Sequence, residues 1–222
     1  MNVKYSIKEV YPQIFAVIVP DKYDRAMTFC RVQEFYESPS KKFHGRKFCM
    51  WEYMKWYAKK SGAFTYPRDW SGFNVPLKVA IKVAESCSFP DCRFPTFYDD
   101  VFKNIVSAIE DKSGGGSRGY VIGTDGKNGT VLNHEVCHGK YFLSEDYRKL
   151  ADQITLGRSM KPYYQQLKEN IIGMGYNAKV VNDEIQAYCQ YGFEECPPFR
   201  KNVQLEALTK LSREYNEQLI NF

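Results

Sequence analysis

The run from Val131 to Leu143, Val-Leu-Asn-His-Glu-Val-Cys-His-Gly-Lys-Tyr-Phe-Leu, constrains the chain more than any other stretch. Coiled as a helix it is apolar nearly all the way round, which describes a helix buried in a core. Two imidazoles and a carboxylate are costly there unless each has a partner. His134 and His138 are four residues apart, one turn above each other on the same face. Both rings can therefore reach one cation, with Glu135 beside it. The chain holds only three histidines, and two of them fall in this run. A metal ion is the partner that satisfies all three side chains together. Hydrogen bonds from neighbouring protein groups are the competing reading.

The other elements must cover that helix. Gln13 to Val19 is β-branched and aromatic and reads as extended structure, closed by Pro20-Asp21. Asp21 is placed to cap a helix over about Lys22 to Glu37, which Ser38-Pro39-Ser40 ends. Apolar spacing predicts a second helix over about Arg46 to Lys60, and others at about Leu77 to Ser86 and Tyr98 to Asp111. Phe64 to Pro76 carries Pro67, Gly72 and Pro76 and reads as an irregular aromatic loop. Ser113-Gly114-Gly115-Gly116-Ser117 is the most flexible stretch. It is the expected seam between an aromatic-rich lobe at 1–112 and a half at 118–222 that carries the motif, within one compact domain. Gly119 to Gly123 reads as a short strand, and the motif helix begins near Thr130. The expected class is α+β and helix-rich.

The spacing His-Glu-x-x-His suits hydrolysis. Zinc lowers the pKa of a bound water toward neutrality, and Glu135 can take that water's proton as it attacks a carbonyl. A catalytic zinc commonly takes three protein ligands. His44 lies in a basic stretch, Lys41 to Lys47, so a carboxylate is the expected third. On a helix over Ala178 to Cys189, Val180, Val181, Ile185, Tyr188 and Tyr191 form the apolar stripe. Glu184 falls within it, roughly 40° from its centre, while Asp183 points away. A glutamate on a buried face needs an explanation, and ligation supplies one. Asp183 reads either as an orienting partner for a ligand histidine or as an exposed acid at a helix start.

Taken together, His134-Glu135-x-x-His138 and Asn182-Asp183-Glu184-Ile185-Gln186-Ala187-Tyr188 resemble the gluzincin-type zinc metallopeptidases over about Gly119 to Tyr191. The metzincin extension would need Gly and His where this chain has Tyr141 and Ser144, and the aspzincin pattern is absent. The resemblance implies a zincin-like fold with a buried motif helix, a short edge sheet and a helical N-terminal lobe. It also implies one zinc ion on His134, His138 and Glu184, with Glu135 as general base. Tyr188 is the first choice to stabilise the oxyanion, ahead of Tyr176 and Tyr191. The strand at Tyr120-Val121-Ile122 would be an edge along which an extended peptide or protein substrate docks.

Charge and cysteines bound the alternatives. The formal net charge is +5, and Lys41 to Lys47 is the densest basic stretch. A solvated loop is the expected reading of it. The neighbouring aromatics Phe48, Trp51, Tyr53, Trp56 and Tyr57 stand at helical spacing and read as core, so nucleic acid is not the expected partner. The seven cysteines lack the density of a disulfide scaffold. Neither Cys87 with Cys92 nor Cys189 with Cys196 has the spacing of a second metal site, and Cys137 reads as a small core residue. The N-terminus lacks the apolar core of a signal peptide, and no apolar stretch is long enough to cross a bilayer. An intracellular, cytoplasmic setting is expected. The alternative to a zinc metallopeptidase is a non-catalytic zinc-containing protein that binds a partner or nucleic acid.

Overall fold

A computed structural model describes residues 2–86, 95–127, 129–158, 160–192, 205–219 and 222. Cys87, Cys92 and Cys196 lie outside the described residues. The chain is helix-rich with a small four-stranded mixed sheet, an α+β architecture. It divides into two compact units, Met1–Leu132 and Asn133–Phe222. The division does not fall at the Ser113 to Ser117 stretch, because the strand that follows this stretch pairs inside the first unit.

In the first unit, β1 (Ser6–Tyr11) and β2 (Ile14–Ile18) form an antiparallel hairpin in which Ser6 faces Ile18. Gln13 closes the turn at φ 62°, and its N–H donates to the Glu9 carboxylate at 2.8 Å. β2 then pairs in parallel with β4 (Tyr120–Thr124), and β3 (Phe73–Pro76) adds antiparallel to the other side of β4. The order is therefore β1-β2-β4-β3. This corrects the expectation that Tyr120-Val121-Ile122 is an edge. Both sides of β4 are occupied, so no backbone groups remain there for a docking peptide. The apolar run of β4 is that of a strand buried on both faces, and all of its residues are buried.

Helices cover this sheet. Asp21 caps α1 (Lys22–Glu37), its carboxylate accepting from the Asp24 N–H at 2.8 Å. Phe29 of α1 stacks on Phe73 of β3 with ring centroids 5.5 Å apart. α1 also packs on α4 (Leu77–Ser86) and α5 (Phe97–Lys112). Thr96 and Asp99 make a reciprocal cap at the start of α5. Asp99 also takes two bonds from Arg31 of α1, at 2.7 and 2.9 Å.

Two expectations shift here. The second helix, α2, spans Met50–Ser61 and starts later than Arg46. Phe43 turns into the core and holds the residues before α2 in turn and extended conformations. The segment read as an irregular loop contains a short helix, α3 (Tyr66–Asp69), and β3.

The second unit is helical. The motif helix α6 (Gly129–Leu143) runs into it and is followed by α7 (Glu145–Thr155), α8 (Lys161–Gly173), α9 (Val181–Gln190) and α10 (Leu205–Leu219). A 3-10 turn at Ala178–Val180, capped by Asn177, leads into α9. The core of this unit includes Tyr147, Ala151, Leu167, Ile171, Ile185 and Tyr215. α9 is its centre, packing on α7, α8 and α10. Among the described residues, no helix is long and apolar enough to cross a membrane.

Candidate metal centre

α6 and α9 bring the expected ligands together within the second unit. Along α6 the buried residues are Glu135, Cys137, His138 and Gly139, so burial concentrates where the motif lies. His134 is half-buried. The Nε2 atoms of His134 and His138 are 3.2 Å apart. Glu184, on the buried face of α9, stands with one oxygen 3.8 Å from His134 Nε2 and the other 3.7 Å from His138 Nε2. Among the described residues these three form a group able to hold a metal ion.

The outward nitrogens show why the rings point this way. His134 Nδ1 lies 3.0 Å from the Tyr191 carbonyl oxygen, and His138 Nδ1 lies 2.9 Å from Asp183 Oδ1. Each acceptor takes an N–H, which leaves each Nε2 available on the inner side. Two such nitrogens at 3.2 Å need either a shared proton or a cation between them. Ligand atoms held about 2.0–2.2 Å from one tetrahedral zinc stand roughly 3.3–3.6 Å apart. The two Nε2 atoms sit close to that figure, one ligand atom from each of the three residues lies within 4.8 Å of the others, and two imidazoles with a carboxylate are a donor set able to hold such an ion.

Electrostatics separate the two rings. Burial, then the charge of His138, pushes His134 down to about 3, against the Tyr191 carbonyl. Burial also opposes charge on His138, but the carboxylates of Asp183, Glu184 and Glu135 outweigh it and raise His138 well above the ordinary imidazole range. The pair thus holds one proton where a cation would sit. Glu135 is buried, and its charge is felt at His138.

Tyr188 sits against this cluster, its ring centroid 4.5 Å from that of His134. Its hydroxyl is 3.2 Å from the Tyr176 hydroxyl. Burial, then the charge of Glu184, raises the Tyr176 phenol well above its usual range, so it stays protonated as a donor. Tyr191 contributes its backbone carbonyl, and its side chain is exposed. Cys137 is buried, as expected. His44 is exposed in the basic loop of the first unit.

Sequence reasoning missed the scaffold behind Asp183. Gln186 Nε2 donates to Asp183 Oδ1 at 2.9 Å. The Gln186 amide oxygen in turn accepts from the Tyr147 hydroxyl at 2.9 Å and from Gln190 Nε2 at 2.7 Å. Gln186 is fully buried. A second hub is Asp152 of α7, which accepts from the Tyr141 hydroxyl at 2.8 Å and from Asn182 Nδ2 at 3.1 Å. It ties α6 to α9. The available signal was amide side chains repeating at steps of four along one side of α9: Asn182, Gln186 and Gln190.

Compared with models of known protein families, with curated proteins and with solved structures, the chain matches none of them.

Proposed function

We propose that the chain is a zinc-dependent metallopeptidase of gluzincin type, with zinc on His134, His138 and Glu184. The observation that carries this reading is the convergence of two Nε2 atoms and one carboxylate, each ring held from behind by a protein acceptor. Held by these three residues, a zinc ion would supply Lewis-acid chemistry, polarising a carbonyl and acidifying water near neutral pH. Glu135, buried beside His138, accepts the proton of the attacking water and passes it to the departing amine. Tyr188, with Tyr176 behind it, supplies a hydroxyl to the developing oxyanion. The substrate is a peptide or protein.

Elemental analysis and a peptide-library cleavage assay test this together. One equivalent of zinc and chelator-sensitive cleavage are expected. Glu135→Gln should keep the metal and lose turnover. A protein that holds zinc and cleaves no peptide is instead the non-catalytic zinc protein, and a variant that cleaves as fast as wild type overturns the role of Glu135.

A further inference from the structure

The stretch from Lys41 to Lys60 carries seven Lys and Arg residues and one acid, Glu52. All seven cations are exposed. They are not scattered along a free loop, because Phe43 fastens the loop to α2. Its fully buried ring meets Phe48, Tyr53 and Trp56 with centroids 5.0, 5.1 and 5.1 Å away. The loop is thus packed against the helix, and their exposed cations share one region of the surface. On α2, Trp51, Lys55 and Lys59 follow one another at steps of four, a single stripe along the helix. Trp51 is 61% exposed, and the Lys55 ammonium stands 4.8 Å from its ring centroid. The rest of the aromatic run turns inward or is half-buried.

We propose that this region of the surface binds single-stranded nucleic acid. The cations meet the phosphates, and Trp51 stacks on an unpaired base with Lys55 alongside. The exposed ring decides among polyanions. A duplex hides its base faces, so a protruding indole finds a stacking partner only on a single strand. A membrane-surface helix presents a whole apolar face, whereas the apolar side of α2, with Met50 and Tyr53, is spent in its own core. Trp51 is the exposed large apolar side chain of this stretch.

The test uses the full chain with chelator present, which makes it independent of the metal reading. A labelled oligo-dT of about 15 nucleotides is titrated by fluorescence anisotropy over a range of salt. Saturable binding that weakens with salt is expected. Trp51→Ala should weaken it roughly five-fold or more, with Trp51→Phe retaining most of the affinity. Lys55→Ala with Lys59→Ala should flatten the log–log salt slope by about 1.4. Circular dichroism should be unchanged in each variant, since these side chains are exposed. Absence of binding, wild-type affinity in Trp51→Ala, or tighter binding to a duplex or to phosphatidylserine vesicles overturns the proposal.

Discussion

Asp183 stands 2.9 Å from His138 Nδ1, on the side of the ring opposite the nitrogen that faces His134. One turn of α9 therefore contributes twice to the centre. Glu184 faces the two Nε2 atoms, and its neighbour Asp183 holds the His138 ring from the other side.

Removing that acceptor leaves His138 free to rotate and to place its proton on the inner nitrogen. Asp183→Ala should lower zinc affinity by about 10- to 100-fold. Competition against a chelating dye measures this directly. Gln186→Leu, which leaves Asp183 in place but removes its amide donor, should shift affinity in the same direction by less. Wild-type affinity in Asp183→Ala would show that the ring is held by packing alone.

Zinc binding should also stabilise the fold. A ligand that binds only the folded state at about 100 times its Kd adds roughly 2.7 kcal/mol. For a unit of this size that raises the melting temperature by several degrees or more. Calorimetry with and without zinc should show the rise in wild type and a much smaller one in Glu184→Ala. An equal rise in both would remove Glu184 from the ligand set.

The cluster of His134, His138 and Glu184 was legible because helical periodicity is a local signal. His134, His138 and Glu184 needed only spacing and the cost of burying charge. Asp183 was ambiguous, since the wheel of α9 alone pointed it away from the apolar stripe. Its partner lies on α6, and no local pattern reports how two helices cross. The contact from His134 to the Tyr191 carbonyl is a backbone bond, invisible to side-chain reasoning. In the sheet, β2 and β4 were readable as apolar runs, but their parallel pairing spans everything between them. β3 was hidden by Pro76, which an edge strand tolerates at its end. β1 was hidden because its hairpin turns on Gln13 rather than on Gly or Asn.

At Gly123 of β4 the Phe29 ring of α1 lies directly over the strand. A Cβ there would stand 2.7 Å from the Phe29 ring, which is wedged between Phe73 and Phe102. The ring has little room to yield. Gly123→Ala should destabilise the protein by about 1–3 kcal/mol. Urea unfolding measures this, and Phe29→Leu in the same background should restore part of the loss. A neutral Gly123→Ala would mean that α1 can lift from β4 at no cost.

The Arg31–Asp99 pair should make stability fall in acid. Burial alone would raise the Asp99 carboxyl, but the hydrogen bonds and charge of Arg31, with the bonds from Thr96, outweigh it and hold it below 3.8. Its folded pKa is thus depressed relative to the unfolded chain. The pair's contribution is full above the unfolded value, near pH 4, and is lost as pH falls through the folded value. Breaking one side of a fully buried pair costs about 3–5 kcal/mol, and this part-buried pair sits at the low end of that, about 3 kcal/mol. Asp99→Ala should therefore be less stable than wild type by about that much at pH 7. The gap should narrow below pH 4, where Asp99 of the unfolded chain takes up a proton that the folded protein still excludes. Urea midpoints measured from pH 7 to pH 3 provide the comparison. A gap that stays constant across that range would mean that the Asp99 charge, held by Arg31 and Thr96, adds nothing to stability and that the loss is one of packing.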